Sequence, residues 1–224
     1  MYWKEQQALD IIKTIFELYR GKIACACSFG KDSIVVVHLC LRVCPNFPIF
    51  FVNTKFKPKE TWDYRDKIVK EWNLNFKEYM SKEKVDWRLH LTDPEECCRI
   101  LKVEPTKEAL KDLDAWITGL RNDEGETRRG YSVIEKKGGI VKINPILNWS
   151  EGDVWRYIAI HNIPVHPLYK EGYRSLGCAP CSTLPKEGEN ERMGRWRGTA
   201  KQGGECGIHT KELKSCSIRD VDKE

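Results

Sequence analysis

Two closely spaced pairs of cysteines are the first feature of this sequence that could do chemistry. Cys97 and Cys98 are adjacent, and Cys178 and Cys181 are separated by two residues much later in the chain. Two such thiolate pairs on separate loops can surround a zinc ion or an iron–sulfur cubane. Adjacent cysteines rarely point both sulfurs at one ion, whereas a cubane offers four separate corners. The spacing therefore favours a 4Fe-4S cluster over zinc or over buried cysteines without a metal.

A further cysteine lies near the C-terminus, in a segment that reads Glu205-Cys206-Gly207-Ile208-His209. A cysteine beside glycine in a mobile segment, with basic groups nearby, can be held as a thiolate and can move between two reaction partners. A spare tail cysteine without a reaction is the alternative, and that description suits Cys216 better. Cys206 is therefore the candidate catalytic cysteine.

A short loop between a predicted strand and a predicted helix has the composition of an anion-binding turn. It consists of Ser28, Phe29, Gly30, Lys31, Asp32 and Ser33. Backbone N–H groups of such a loop, with the positive end of the following helix, can hold a phosphate or a sulfate. An ordinary turn with a serine at the helix N-cap is the alternative. The loop resembles the pyrophosphate loop of the adenine-nucleotide hydrolase-like superfamily, with Phe29 in place of that loop's first glycine.

Apolar periodicity predicts the elements that must position these residues. The predicted strands are Ile23 to Cys27, Ile49 to Asn53, Phe76 to Tyr79 and Ala115 to Gly119. The predicted helices between them run from Ser33 to Leu41 and from Pro58 to about Trp72. This alternation predicts an α/β fold, a parallel twisted sheet with helices on both faces. Ligands are then expected at the loops that follow the carboxyl ends of the strands.

The last part of the chain changes character. Ser150 and Asp153 form a capping-box pattern, which predicts a helix from Glu151 to His161. From Pro164 onward the sequence is rich in Gly, Pro, Lys and Arg with little apolar periodicity, as in an irregular lobe and a mobile tail. We therefore expect a nucleotide-binding α/β domain over residues 1–200 and a mobile tail over residues 201–224 that carries the catalytic cysteine.

Composition excludes several classes of protein. The chain has 41% hydrophobic and 32% charged residues, as is typical of globular proteins. Its net charge is +5, and the sequence lacks the clustered basic stripe of a nucleic-acid-binding protein. Small anions are the expected partners. No apolar run approaches the roughly 18 residues of a membrane span, and the charged residues among the first 20 predict an amphipathic helix instead of a signal peptide. We therefore expect the protein to stay in the cytoplasm. In such a reducing compartment, ten cysteines favour metal binding or thiol chemistry over disulfides.

The most specific stretch of the sequence resembles the sulfonucleotide reductase family, in particular its cluster-containing adenylyl-sulfate reductases. The similarity extends from about Ile23 to His209. Its motifs are Asn144-Pro145, Trp149, Asp153-Val154-Trp155, Ile163-Pro164, Pro167-Leu168, Gly172-Tyr173 and Ser175 to Cys181. Family members pair this stretch with an upstream double cysteine and with a Glu-Cys-Gly-Leu-His tail, which the segment around Cys206 resembles.

The resemblance implies a reaction. The thiolate of Cys206 attacks the sulfur of a bound adenylyl sulfate nucleotide, either APS or its 3′-phosphorylated form PAPS, and expels AMP or PAP. Thioredoxin or glutaredoxin then attacks the S-sulfocysteine and frees sulfite, in assimilatory sulfate reduction. The 4Fe-4S cluster on the four paired cysteines sets the local charge and supplies no electrons. Family members are commonly homo-oligomers, and we expect the same here.

The same resemblance indicates which residues hold the substrate. Lys102 follows Cys98 by four residues, as a lysine does in the family, and Arg192 and Arg195 match its Arg-x-Gly-Arg-Trp motif. A lone arginine is more often a solvated surface group, but these motifs favour anion binding. The expected substrate-binding set is Ser28, Phe29, Gly30, Lys31, Asp32, Ser33, Lys102, Arg121, Arg128, Arg192, Arg195 and His209.

Two segments depart from the family pattern where the nucleotide is expected, and they leave the choice between APS and PAPS open. Lys31-Asp32-Ser33 and Asp123-Glu124-Gly125 replace other residues. Lys31 and Arg129 could meet a 3′-phosphate, whereas cluster cysteines usually accompany the unphosphorylated substrate.

Two other functions fit parts of the sequence. An ATP-cleaving, sulfur-handling enzyme of the same superfamily that acts on nucleic acid would use residues 28–33 to hold pyrophosphate, but it needs no Glu-Cys-Gly-Ile-His tail. A redox-sensing or nucleic-acid-binding iron–sulfur protein would leave the anion-binding loop and the arginines unexplained. Steeply salt-dependent affinity for nucleic acid would be the mark of that class.

Overall fold

A six-stranded sheet forms the centre of the molecule, and a computed structural model describes residues 2–210 and 213. Its strands are β1 Ile23–Ala26, β2 Ile49–Asn53, β3 Phe76–Met80, β4 Ala115–Ile117, β5 Ile134–Lys137 and β6 Ile140–Ile143. They lie in the order β3-β2-β1-β4-β6-β5. All neighbouring pairs are parallel except β5 and β6. The predicted α/β fold is confirmed, with a mixed and mostly parallel sheet.

The antiparallel edge of the sheet was not predicted from the sequence. Strands β5 and β6 form a hairpin in which Ile134 lies opposite Ile143. The turn consists of Gly138 and Gly139, both with positive φ, which is the backbone conformation that tight hairpin turns require. Polar residues dominate β5, so its apolar pattern was too weak to indicate a strand.

Helices cover both faces of the sheet. They are α1 Tyr2–Leu18, α2 Lys31–Val43, α3 Lys59–Glu71, α4 Leu89–Thr92, α5 Pro94–Cys98, α6 Glu104–Leu110, α7 Glu151–Ile160 and α8 Gly207–Thr210. Residues of α1, α2, α3 and α7 pack on one face against Ile23 and Cys25 of β1. Ala24, between them, packs on the other face with Leu110 of α6. This alternation is what a strand buried on both sides produces.

The order of the strands reverses at β1, which lies between β2 and β4. In open α/β sheets a crevice forms at such a point, outside the carboxyl ends of the strands. Gly119, just after β4, shows how closely the crevice walls approach. A Cβ atom there would lie 2.8 Å from the backbone nitrogen of Ser33, at the start of α2. The absence of a side chain at Gly119 therefore lets β4 and the loop after β1 meet.

The C-terminal region follows the prediction in part. Helix α7 begins at the capping box, since the Asp153 amide donates to Ser150 Oγ at 3.1 Å and the Ser150 amide donates to Asp153 Oδ2 at 2.9 Å. An irregular lobe follows it. Lys201 and Glu205 of the predicted tail are buried against the domain, and Cys216 lies outside the described residues. The division at residue 200 and the mobility of the tail remain predictions. No described helix has the length and apolarity to cross a membrane.

Candidate active site

A cavity of about 190 Å³ opens at the carboxyl ends of the central strands. It contains many of the residues that the sequence singled out, because the loops after β1 and β4 and the C-terminal segment all end there. The predicted substrate-binding and catalytic residues that line it are Ser28, Gly30, Asp32, Ser33, Lys102, Arg128, Arg192, Arg195, Cys206 and His209.

The predicted anion-binding loop, residues 28–33, presents hydroxyl groups to the cavity more than amides. Ser28 Oγ and Ser33 Oγ lie 3.2 Å apart, and both residues line the cavity. The Ser28 amide already donates to Ser33 Oγ at 3.2 Å, and the Lys31 amide donates to the Tyr169 hydroxyl at 2.8 Å. The Phe29 amide donates to the Cys27 sulfur at 3.4 Å. The expected cradle of backbone N–H groups is therefore partly occupied by the protein's own atoms.

Phe29 lies in the hydrophobic core, away from the lining of the cavity. Its side chain is fully buried, and its ring meets those of Phe51 and Phe76 edge-on at 5.4 and 6.0 Å. Its φ of +63° turns the side chain to that side while the loop continues toward α2. Phe29 is accordingly a packing residue in the place of the superfamily's first glycine.

Lys31 and Arg121 are also directed away from the cavity, into a buried network of charges. Lys31 Nζ lies 2.5 Å from Glu191 Oε2 and also donates to the Arg174 carbonyl at 2.8 Å. Arg121 binds both carboxylate oxygens of Glu191 at 2.8 Å and Asp32 at 2.6 Å. The sequence could not reveal this network, because Glu191 lies 160 residues from Lys31.

Glu205 fixes the segment that carries Cys206. Its carboxylate accepts hydrogen bonds from Arg128 at 2.7 and 3.1 Å and from Arg192 at 2.8 Å. It also accepts the Cys206 amide at 2.7 Å. Burial would raise the pKa of Glu205, but Arg128 and Arg192 hold it well below its ordinary value. Two of the predicted substrate-binding arginines therefore anchor the segment that carries the candidate catalytic cysteine.

Three other cations face the cavity without a carboxylate partner among the described residues. They are Lys57, Lys102 and Arg195. Arg195 is held by neutral groups, since it donates to the carbonyls of Leu176 at 2.8 Å and Cys181 at 3.2 Å. Lys57 was missed by the sequence analysis, because it stands in the unremarkable segment between β2 and α3.

Two local features of the backbone position these cations. Lys102 extends from a π-helical segment, Arg99–Val103, which directly follows Cys98; such segments are frequent at functional sites. Arg195 lies against Gly177, where a Cβ atom would be 2.0 Å from the guanidinium. A side chain at that glycine would displace Arg195 from the cavity.

The ring of Trp196, which is 2% exposed, lies at the centre of four basic side chains. The distances to its centroid are 4.7 Å from Arg195, 5.5 Å from Arg192 and Lys201, and 5.6 Å from Lys102. The face of an indole attracts cations, so this ring can hold several of them in a small volume. The Arg-x-Gly-Arg-Trp motif contained this residue, but its spacing alone did not show its role.

The four paired cysteines meet around a second, smaller cavity beside the first. Cys97 and Cys98 end helix α5. Cys178 precedes a single 3₁₀ turn, and Cys181 is the last residue of that turn. Cys98, Cys178, Cys181 and Cys206 pack in one buried group with Trp196. Lys102 lines both cavities and so connects the four cysteines to the predicted substrate-binding residues.

The donor set at the second cavity fits an iron–sulfur cluster by its chemistry. Among the described residues no three His, Cys, Asp or Glu side chains converge as they would on a single metal ion. The cavity instead presents four buried thiols, and a soft cluster with separate corners takes such donors. Burial and the neighbouring cysteines raise the pKa of Cys97 to about 12. Burial opposes ionisation of Cys178 too, but Lys102 and Lys57 lower its pKa. Lys102 and Lys57 therefore lie where they can balance the charge of a Cys178 thiolate.

His209, on α8, belongs to an aromatic wall of the first cavity. Its ring lies nearly parallel to that of Trp116, with centroids 6.4 Å apart, and its Nδ1 is buried without a hydrogen-bond partner among the described residues. Burial, together with Arg128 and Lys142, lowers the pKa of His209 well below its ordinary value. This shift favours the neutral form of the His209 ring.

This chain is similar to known proteins over most of its length. Residues 22–184 match the phosphoadenosine phosphosulfate reductase domain family. The adenosine 5′-phosphosulfate reductase of Halalkalibacterium halodurans is 33% identical over 216 residues, which are 92% of this chain and 93% of that protein. The enzyme of the same name from Streptomyces coelicolor is 37% identical over 215 residues, or 92% and 89% of the two chains.

Solved structures show the same fold. The phosphoadenylyl-sulfate reductase of Candida auris, in a phosphate complex, has a TM-score of 0.68 at 22% identity and covers 78% of this chain and 90% of its own. The FMN adenylyltransferase of Candida glabrata has a TM-score of 0.62 at 20% identity, with 82% and 64% covered. Because the curated relatives exceed 30% identity and the family match spans most of the sequence, the chain belongs to the sulfonucleotide reductase family, as its motifs predicted, and is a reductase of that family.

Proposed function

We propose that this enzyme reduces adenylyl sulfate to sulfite and AMP through an S-sulfonated Cys206. The observation that carries the proposal is the position of Cys206 in the cavity lining, together with the serine hydroxyls and with cations that no described carboxylate pairs. A nucleotide sulfate needs such cations at the sulfur under attack.

The chemistry follows from the residues around Cys206. Its thiolate attacks the sulfur of the sulfo group, a new S–S bond forms, and the bond from that sulfur to the phosphate oxygen breaks. AMP leaves with the electron pair of the broken bond. Lys102 and Arg195 neutralise the sulfo oxygens during this transfer, and the hydroxyls of Ser28 and Ser33 bind an oxyanion of the nucleotide.

Release of sulfite needs a dithiol. A thioredoxin or glutaredoxin thiolate attacks Cys206 Sγ, sulfite leaves, and the second thiol of the donor resolves the mixed disulfide. The dithiol is oxidised by two electrons, and the sulfo sulfur is reduced by two. Cys206 is only 8% exposed, so the donor reaches it after its segment leaves the cavity.

The unphosphorylated nucleotide is the proposed substrate. Lys31 is one of the two residues expected to contact a 3′-phosphate, and its ammonium forms a buried ion pair with Glu191 instead. The other, Arg129, pairs with Glu126 at 2.7 Å on the surface. The curated relatives are named for adenosine 5′-phosphosulfate, which supports the same choice.

The proposed cofactor is a 4Fe-4S cluster bound by Cys97, Cys98, Cys178 and Cys181. When bound, it contributes charge beside the substrate and supplies no electrons to the reaction. Lys102 then lies between the two anionic centres, because it lines both cavities. Replacing Cys97 by Ser should abolish the visible absorption of anaerobically purified protein, and a colourless zinc protein would contradict the proposal. We also propose a homo-oligomer in the cytoplasm, as the family resemblance implies.

Sulfite production tests the function. Anaerobic protein is given adenylyl sulfate or its 3′-phosphorylated form with reduced thioredoxin. We expect sulfite from the wild type, with a preference for adenylyl sulfate, and none from Cys206→Ser although this variant still binds the nucleotide. Cys216→Ser is the matched control and should retain activity. Sulfite release by Cys206→Ser would contradict the mechanism, and ATP-dependent release of pyrophosphate would favour the ATP-cleaving alternative.

A further inference from the structure

Lys57 is a basic residue at the cavity that neither the family motifs nor the sequence analysis identified. It stands in the segment that connects β2 to α3, and it lines the larger cavity together with Lys102, Arg195 and Cys206. Lys57 does not line the smaller cavity at the four cysteines, whereas its neighbour Phe56 does. Its side chain is therefore directed to the substrate side of the site.

The backbone on both sides of Lys57 is fixed. The Ala179 amide donates to the Phe56 carbonyl at 2.6 Å, which joins this segment to the turn between Cys178 and Cys181. Trp62 Nε1 donates to the Lys57 carbonyl at 3.1 Å, and Pro58 begins helix α3. The lysine is thus held in place before any ligand binds, and its Nζ passes 5.8 Å from the centroid of the Phe51 ring.

The charge of Lys57 lacks a partner in the described part of the chain. Neither an ion pair nor a hydrogen bond of its ammonium occurs there. The groups whose charges reach it are the thiol sulfurs of Cys178 and Cys206 and two like cations, Lys102 and Arg195. Burial, with those cations, lowers the pKa of Lys57 to about 8. Lys59, two residues later, behaves differently. It is 82% exposed and pairs with Asp63 at 2.5 Å.

Resting on the function proposed above, we propose that Lys57 is a specificity-determining residue that binds the sulfo group of adenylyl sulfate. With Lys102 and Arg195 it forms three cations around the sulfur next to Cys206. A partly buried ammonium without a carboxylate partner gains a charge-assisted hydrogen bond when an oxyanion enters. AMP brings no sulfo group, so Lys57 discriminates between the substrate and the nucleotide that leaves. After transfer it also binds the sulfonate on Cys206.

Binding measurements on anaerobically purified holoenzyme test this inference. The Cys206→Ser background prevents turnover, and calorimetry gives the Kd values of adenylyl sulfate and of AMP. We expect Lys57→Met to raise the Kd of adenylyl sulfate by about tenfold or more, as the loss of a charge-assisted hydrogen bond does. The Kd of AMP should change by less than about twofold. Lys59→Met removes the same charge from the surface and should change neither value. Lys57→Arg should restore the discrimination.

Thermal unfolding separates a binding role from a structural one. Because the charge lies unpaired beside two like charges, Lys57→Met should keep or raise the unfolding temperature of the ligand-free protein. A structural lysine would lower it. Equal weakening of both nucleotides, or of neither, would overturn the inference, as would a change confined to the visible spectrum of the cluster.

The two proposals fail in different ways. If the wild type sulfonates Cys206 while Lys57→Met keeps the wild-type ratio of the two Kd values, only the role of Lys57 is wrong. If the wild type neither prefers adenylyl sulfate to AMP nor yields sulfite, the proposed function is wrong and the role of Lys57 falls with it.

Discussion

Glu205 and Arg128 form a two-pronged ion pair, with Arg128 Nε and Nη2 at 2.7 and 3.1 Å from the two carboxylate oxygens. Arg128 is also bound by Glu124, and both residues of the pair are buried. This contact holds the residue just before Cys206 against the domain. In the proposed cycle this contact has to break each time the thiolate of Cys206 moves from the substrate to the electron donor.

Weakening this pair should expose Cys206. Glu205→Gln removes the carboxylate charge, and we expect the rate of Cys206 alkylation in the ligand-free protein to rise about tenfold, as the loss of one charge-assisted hydrogen bond predicts. Peptide mass spectrometry after timed alkylation measures the rate. Glu187→Gln, at an exposed position, is the control and should leave the rate unchanged. Equal rates in all three proteins would show that Glu205 does not hold the segment.

The buried network at Lys31 and Arg121 should contribute to stability more than to binding. Glu191→Gln leaves two buried cations short of a partner, and we expect a loss of about 3 kcal/mol in the free energy of unfolding. Urea denaturation measures this loss. Glu126→Gln removes an exposed pair with Arg129 and should cost less than about 0.5 kcal/mol. A stable Glu191→Gln protein with weak nucleotide affinity would instead place Lys31 and Arg121 in the binding site.

A methyl group at Gly119 should damage the anion-binding loop. It would lie 2.8 to 2.9 Å from backbone atoms of Asp32 and Ser33, so the start of α2 has to shift. We expect Gly119→Ala to lower the affinity for adenylyl sulfate by about tenfold or more, as the loss of one good contact to an anion does. At Gly130 a Cβ meets nothing within 4 Å, so Gly130→Ala is the control. Similar affinities in the two variants would mean that the loop does not contact the nucleotide.

Acid should weaken the packing of α2 on α7 through His38. Burial, with His161 and Arg42 nearby, lowers the pKa of His38 to about 4, while its Nδ1 lies 2.8 Å from the Tyr157 hydroxyl. The unfolded chain takes up the proton at about pH 6.5, so stability is complete above that pH and is lost as the pH falls toward 4. His38→Gln should reduce the loss of unfolding free energy between pH 6.5 and pH 4 by about 1 kcal/mol, since the site is partly solvated. Unfolding curves at several pH values test this, and parallel profiles would contradict it.

Much of the fold could be predicted because its signals are local. Strands β1 to β4 and helices α2, α3 and α7 follow from apolar runs, a proline and a capping box, and each lies close to its predicted bounds. The hairpin of β5 and β6 was missed because charged residues in β5 obscure the alternation of apolar and polar residues that marks a strand. The two turn glycines were the clearest local signal of the hairpin.

The site was predictable only as a set of motifs. Cys206 and the cysteine pairs carry recognisable spacing, and they lie at two adjoining cavities. Whether a cation at the site is paired within the protein depends on carboxylates far along the chain. Glu191 takes Lys31, and Glu205 takes Arg128, across separations that no local pattern encodes. Lys57 became visible only through the cavity that it lines.

The most direct test of the account is mass spectrometry of Cys206 after the anaerobic wild-type enzyme has met adenylyl sulfate without any thiol donor. The account predicts one sulfonate on the peptide that contains Cys206, formed together with one AMP, and its release as sulfite when reduced thioredoxin is added. A protein that binds adenylyl sulfate but yields sulfite without ever carrying that sulfonate would contradict it.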